Sequence, residues 1–398
     1  MIIEPMFASE RPFVFFAATD FSTCLSGRTR RLAEALSEVG FPVTFVELPS
    51  ARRILTDGFR TGVRTFTGSS VRVMRVPPLP GHGRKSSSIL EEAWCRHVAR
   101  AMQRRIPHLD GAVLITSTPW WSGLVPKLPC AARCYDCVDH LSVQAGPGRW
   151  ARFLQWENEL LASSDLVSTV SRPLYDDLVQ RRDPDRVFLI PNGVADEWMQ
   201  SRIEPVSRST LGCRSDRPLA GFVGSLFEWV DVDLLLTSAR ALPHVEFVLV
   251  GPRCRSVQLG MLRSLPNVHV LDPVPYERVP HVVQAFDVGL IPFKQDLVSE
   301  CADPLKLYEY CSQGKPVVSS VRFCNNEETT PIIVAEGRDD FIAAIPSTVV
   351  HDTPEQRADR IAFARRHTWR ARGKALLDAV DHTLSVRGPG TICGKDRW

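Results

Sequence analysis

The sequence predicts an α/β protein built from two doubly wound domains, and three observations carry that prediction. At 398 residues the chain exceeds one ordinary core and suits two units of roughly 150–200 residues each. Short apolar runs of strand type alternate with stretches of helical periodicity along most of its length. The alternation breaks once, across the polar stretch Glu197–Pro218, and then restarts.

The first βαβ unit shows the pattern. Pro12–Ala18 is an apolar run, and Arg28–Val39 repeats Leu32, Ala35, Leu36 and Val39 at helical spacing. Gly40 stops that helix and Pro42–Val46 resumes a strand, as a parallel sheet requires. Residues 49–85 read as Arg-, Gly- and Pro-rich loops with a strand near Val71–Val76. A helix over Ser86–Ile106 carries Leu90, Trp94, Val98 and Ala101 as an apolar stripe beside Arg96, Arg100 and Arg104. Strands at Ala112–Thr116, Ala131–Tyr135, Leu166–Val170 and Val187–Ile190 follow, with helices at Phe153–Ser163 and Pro173–Gln180. Past the linker come strands Leu219–Val223, Glu246–Val250, Val268–Leu271, Val288–Ile291 and Pro316–Ser319. Helices Asp231–Ala241, Val279–Ala285, Leu305–Ser312 and Pro354–His367 interleave with them. The reading is a first domain over 1–198, a second over 199–365, a terminal helix over 366–386 returning to the first, and a tail over 387–398.

Composition limits the function classes. A hydrophobic content of 44% with 23% charged residues is that of a globular chain, and a net charge of +3 gives no argument for a nucleic-acid partner. Residues 1–120 hold 16 Lys/Arg against 10 Asp/Glu, so the first third is the basic part. Such a surface suits peripheral contact with an anionic membrane leaflet or a phosphorylated acceptor, and equally an ordinary solvated face. No run approaches the ~20 apolar residues of a spanning helix, and no signal peptide opens the chain. Eleven scattered cysteines fit reduced thiols, hence a cytoplasmic location, with possible attachment at the inner membrane face as the extension of the basic first third.

The densest chemistry lies at Ala302-Asp303-Pro304-Leu305-Lys306-Leu307-Tyr308-Glu309-Tyr310, followed by Gly314-Lys315-Pro316. Pro304 suits a helix start, and Lys306 falls in the first turn, where free N–H groups and the dipole favour an anion such as a diphosphate. Glu309 stands three residues on, on the same face, where a carboxylate can accept from ribose hydroxyls. By themselves the two residues also suit a surface i,i+3 ion pair.

With its flanking motifs the segment resembles the GT-B glycosyltransferases of the family-four, or group 1, type. Gly221-Phe222-Val223-Gly224-Ser225 with Trp229-Val230-Asp231 resembles the first strand, loop and helix of their donor domain. Phe286–Phe293 resembles the strand ahead of the Glu-bearing helix, Pro191-Asn192-Gly193-Val194 the motif near the domain junction, and Ser163–Val167 with Val170-Ser171 the strand upstream of it. Tyr135-Asp136-Cys137-Val138-Asp139 is similar to capsular and exopolysaccharide-type members, and Trp369-Arg370 with Leu376-Leu377 to the closing helix. The matches run from residue 25 to about 380.

The resemblance implies two Rossmann-like domains facing across a cleft, the first for the acceptor and the second for a nucleoside diphosphate-sugar. The activity implied is transfer of a hexose-type sugar, UDP-linked by preference, to a glycan, lipid-linked or small-molecule acceptor. No metal or other cofactor is expected. Glu309 would bind the donor ribose. Lys306 would meet the phosphates and assist catalysis, with the backbone N–H groups of Gly224 and Ser225. Pro304 and Leu305 open the donor helix, and backbone near Val274–Tyr276 would frame the base. Gly27 and Arg28 would lie on the acceptor side. If the enzyme inverts, Asp139 is the first candidate for general base, Asp136 the second and His140 the third; a helix or turn cap is the alternative reading of Asp136.

Departures from the family pattern are visible. The first acid of an E-x7-E motif falls on Cys301, with Glu300 and Asp303 beside it, and the basic pair usual after the first donor loop is replaced by Phe227-Glu228-Trp229. Two rival readings arise. Cys130, Cys134 and Cys137 have the C-x3-C-x2-C spacing of an iron–sulfur radical S-adenosylmethionine enzyme. A degenerate, non-catalytic nucleotide-sugar-binding protein is the other. Asp231-Val232-Asp233 spells D-x-D but reads as a helix start, and the His and Cys residues elsewhere show no zinc spacing.

Overall fold

The computed structural model describes residues 11–21, 27–47, 62–65, 70–77, 88–145, 148–199, 203–323 and 330–387. Ser26, most of the 49–85 loop region and the expected tail from 388 onward lie outside the described residues. The chain divides into two compact units. The first holds residues up to Val170, Leu174–Ile190 and everything from Arg372, and the second holds Ser171–Pro173 and Pro191–Ala371.

The first unit is built on an eight-stranded sheet. Its strands are β1 (Phe13–Phe16), β2 (Val43–Glu47), β3 (Gly62–Thr65), β4 (Arg72–Arg75), β5 (Val113–Thr116), β6 (Ala132–Cys137), β7 (Leu166–Thr169) and β8 (Val187–Leu189). Their order is β3-β4-β2-β1-β5-β6-β7-β8, parallel throughout except for β3 against β4. Strands β1, β5 and β6 are buried along their whole length; β1 and β5 are correspondingly almost wholly apolar, whereas β6 also buries Arg133 and Asp136. Trp121 seals one side, its Nε1 donating to the Ala17 carbonyl at 3.0 Å.

The second unit has six parallel strands: β9 (Leu219–Val223), β10 (Glu246–Val250), β11 (Val268–Leu271), β12 (Val288–Ile291), β13 (Val317–Ser319) and β14 (Ile333–Val334). Their order, β11-β10-β9-β12-β13-β14, reverses direction beside β9, the switch point where doubly wound sheets place their ligands. Gly289 lets the helix Leu305–Ser312 lie close on β12, since a Cβ there would come within 2.4 Å of the Tyr310 ring.

Several expectations are corrected in detail. The boundary falls at Pro191 rather than after residue 198 because Pro191–Met199 is tied into the second unit. Val194 N donates to His367 O at 2.9 Å, and Trp198 Nε1 donates to Tyr276 Oη at 2.7 Å. Helix Trp369–Arg387 begins in the second unit and finishes in the first, where Gly373 packs against Ala35 and Arg11 pairs with Asp381 at 2.5 Å. Leu90 is 60% exposed and stands outside the core that Val98 and Met102 enter. Helix Arg338–His351 has no clear signal in the sequence because Pro346 interrupts it.

Candidate functional site

In the second unit the candidate donor residues gather at the carboxyl end of β9. Gly224 takes φ 151°, and a Cβ there would lie 2.2 Å from Lys306 Cε and 2.3 Å from its Nζ. The loop can therefore accept the lysine only as glycine. The Gly224 N–H donates to Val250 O at 2.8 Å, so the expectation that it meets a phosphate is overturned: that donor belongs to the sheet. Lys306 is the second residue of helix Leu305–Ser312, with Pro304 in the capping position, so the first N–H groups of the helix have no partner within it. Its Nζ stands 5.2 Å from the centre of the Phe222 ring. Desolvation lowers the Lys306 pKa, and the Glu309 charge opposes that shift.

Glu309 is buried one turn further on. Tyr276 Oη donates to its Oε1 at 3.4 Å and accepts from Trp198 Nε1 at 2.7 Å, while Gln313 Nε2 donates to the Trp198 carbonyl at 2.6 Å. Trp198 and Gln313 had no sequence signal, because only tertiary packing brings them to Tyr276. Tyr276 is thus linked to Glu309 and Trp198 through its hydroxyl.

The three residues near the expected first acid have different surroundings. Cys301 is buried, and its carbonyl accepts from Ser171 Oγ at 2.7 Å. Glu300 is exposed. Asp303 is buried and locks the Asn192 motif: it accepts from the Asn192 N–H, and its carbonyl accepts from Asn192 Nδ2 at 2.6 Å. Tyr308 Oη donates to both Asp303 oxygens, at 2.9 and 3.1 Å. Asp231 caps its helix, accepting from Leu234 N at 2.8 Å, and so behaves as a helix start.

In the first unit the structure joins two expected residues that the sequence did not connect. Gly27 precedes helix Arg28–Glu38, and Arg28 is buried against Asp136 on β6. Arg28 Nε lies 2.9 Å from Oδ2 and Nη2 lies 2.9 Å from Oδ1. Ser168 Oγ donates to the same carboxylate at 2.7 Å. Asp136 is thus neither a helix or turn cap nor an open general base, and Arg28 is held in a buried ion pair. Asp139 follows β6, half-buried at the surface yet surrounded closely enough that desolvation raises its carboxyl to about 7. His140 stacks on Trp150 with centroids 5.8 Å apart, and its Nδ1 lies 2.8 Å from Ser142 Oγ.

The iron–sulfur reading fails on geometry. Cys130, Cys134 and Cys137 are all buried, and Cys134 and Cys137 lie three apart on β6, so they point to opposite faces. Burial pushes the Cys134 thiol up to about 12.

Comparison with known proteins now bears on this geometry. A family model described as "Glycosyl transferase 4-like domain" matches residues 25–193, and one described as "Glycosyl transferases group 1" matches residues 217–351. The chain belongs to the group 1 glycosyltransferases. Both units are therefore accounted for, and the second model spans Gly224, Lys306 and Glu309. TuaH of Bacillus subtilis (strain 168), a glycosyltransferase assigned to teichuronic acid biosynthesis, is 28% identical over 254 residues. That match takes in 59% of this chain and 63% of the relative.

Solved structures establish the GT-B fold for this group 1 glycosyltransferase. Sucrose-phosphate synthase from Thermosynechococcus elongatus superposes with a TM-score of 0.66 at 16% identity, covering 95% of this chain and 98% of its own. HepE from Anabaena, solved in complex with UDP, gives 0.65 at 14% identity, covering 94% and 100%. No helix among the described residues is long and apolar enough to cross a membrane.

Proposed function

We propose that this group 1 glycosyltransferase moves a hexose-type sugar from a nucleoside diphosphate-sugar to a glycan, lipid-linked or small-molecule acceptor. The observation that carries the reading is Lys306 laid across Gly224, with Glu309 one turn on and braced by Tyr276. In this reading Lys306 and the free N–H groups at Ser225 and Leu305 neutralise the departing diphosphate, and Glu309 accepts from the ribose hydroxyls. That arrangement supplies positive charge from protein groups, so the transfer is read as independent of a divalent metal or other cofactor.

A UDP-sugar is the favoured donor, supported by the fold shared with a protein solved with UDP. The likeness to TuaH supports a glycan-type acceptor. The first unit would take the acceptor, and Asp139 would be its general base if the sugar is inverted. The enzyme would work in the cytoplasm, with the basic first third resting on an anionic membrane face.

The test is a thermal-shift panel of UDP, GDP, dTDP and their sugars on the wild type and on Glu309→Ala. Stabilisation by one nucleotide family that disappears in the variant supports the donor site and identifies the base. No stabilisation by any nucleotide would overturn the reading.

A further inference from the structure

Three metal-ligating side chains meet in the second unit, at the opposite end of β10 from Gly224. Cys213 ends the short turn that starts at Arg208, Glu246 opens β10, and His269 lies on β11 in register with Val248. One donor atom from each lies within 4.8 Å of the others. His269 Nε2 is 2.7 Å from Glu246 Oε2, and Arg217 Nη1 is 3.5 Å from Oε1. Cys213 and Glu246 are buried, whereas His269 reaches solvent with 19% of its side chain exposed. Gly212, at φ 79°, turns the chain so that Cys213 faces inward, and a Cβ there would press within 3.0 Å of His269 Nδ1.

We propose that Cys213, Glu246 and His269 form a binding site for a zinc-class divalent cation that pins the Arg208–Cys213 turn to the β10–β11 edge. A thiolate, an imidazole and a carboxylate are the ligand types zinc takes, and donor atoms of a tetrahedral site stand roughly 3–4 Å apart. Small side-chain adjustments therefore suffice. Solvent beside His269 supplies the fourth ligand. A dication with one thiolate and one carboxylate is neutral overall, which suits a site with two buried ligands. Binding releases the Cys213 thiol proton to solvent and requires that the coordinating imidazole nitrogen carry no proton, the other ring nitrogen keeping it. The three residues are far apart in sequence, so no linear spacing announces them. The site lies away from Lys306 and Glu309 and does not depend on the proposed donor chemistry.

The test uses the full chain after chelator treatment and dialysis, titrated with Co²⁺ alone and then with Zn²⁺. The expected result is about one equivalent of Co²⁺ bound with a thiolate-to-cobalt charge-transfer band that Zn²⁺ displaces. Cys213→Ser should abolish the band, and His269→Gln should weaken Co²⁺ binding about tenfold or more. Zn²⁺ should raise the Tm of the wild type and leave that of Cys213→Ser unmoved. Far-UV circular dichroism on each variant confirms that it is folded. A titration with no charge-transfer band, or a band that persists in folded Cys213→Ser, would overturn the proposal.

Discussion

Arg28 grips Asp136 through two parallel contacts, Nε to Oδ2 and Nη2 to Oδ1, each of 2.9 Å. The pair ties the start of the first long helix to the middle of the sheet, and both side chains are almost wholly shielded from water. Replacing one partner leaves the other charged and buried. Asp136→Ala should therefore cost about 3–5 kcal/mol of stability, visible as a lower urea midpoint. A change within about 0.5 kcal/mol, the range of ordinary surface substitutions, would show that the pair is not structural.

Gly224→Ala places a methyl group where the Lys306 side chain runs. The strain, on the order of 1–3 kcal/mol, should displace the lysine and weaken donor binding about tenfold or more. Isothermal titration with UDP measures this, and far-UV circular dichroism separates it from misfolding. Unchanged affinity would mean that Lys306 need not lie across the loop.

Tyr276→Phe removes the hydroxyl that links Trp198 to Glu309. A lost hydrogen bond of this kind is worth about 0.5–1.5 kcal/mol, so the donor Kd should rise roughly two- to tenfold. Turnover at saturating donor should change much less, and the KM-against-kcat split reads the difference.

Asp139 sets a pH dependence. Its carboxyl is raised from 3.8 to about 7 by desolvation, so the native state holds this proton more tightly than the unfolded chain does. Its favourable contribution is complete below pH 3.8 and is lost as pH rises through about 7. Asp139→Asn should flatten the fall in stability over that window. If Asp139 is the base, kcat/KM of the wild type should climb as pH passes about 7, and the variant should lose that limb. A wild-type profile flat across neutral pH would remove Asp139 from the chemistry.

Much of this architecture can be read in the residues, for a physical reason. Parallel strands buried on both faces become largely apolar runs, so β9, β10 and β12 fall at their expected bounds. Helix Leu305–Ser312 is equally legible, between Pro304 and Gly314. Features created by long-range packing are not. The sequence places Arg28 and Asp136 on one side of a site without showing that they pair, and it gives no hint that Trp198 and Gln313 brace Tyr276. A backbone N–H carries no sequence mark of whether the sheet will use it, which is why Gly224 was expected to meet a phosphate. The metal-ligating trio is hidden for the same reason, since its members meet only when β10 and β11 pair.

The most direct test of the central claim is isothermal titration of UDP and of uridine against the wild type, Lys306→Ala and Glu309→Ala. In the proposed reading Lys306 meets the diphosphate and Glu309 the ribose. Lys306→Ala should therefore lose UDP affinity while keeping its weak affinity for uridine, and Glu309→Ala should lose both. Wild-type UDP affinity in folded Lys306→Ala would contradict the account.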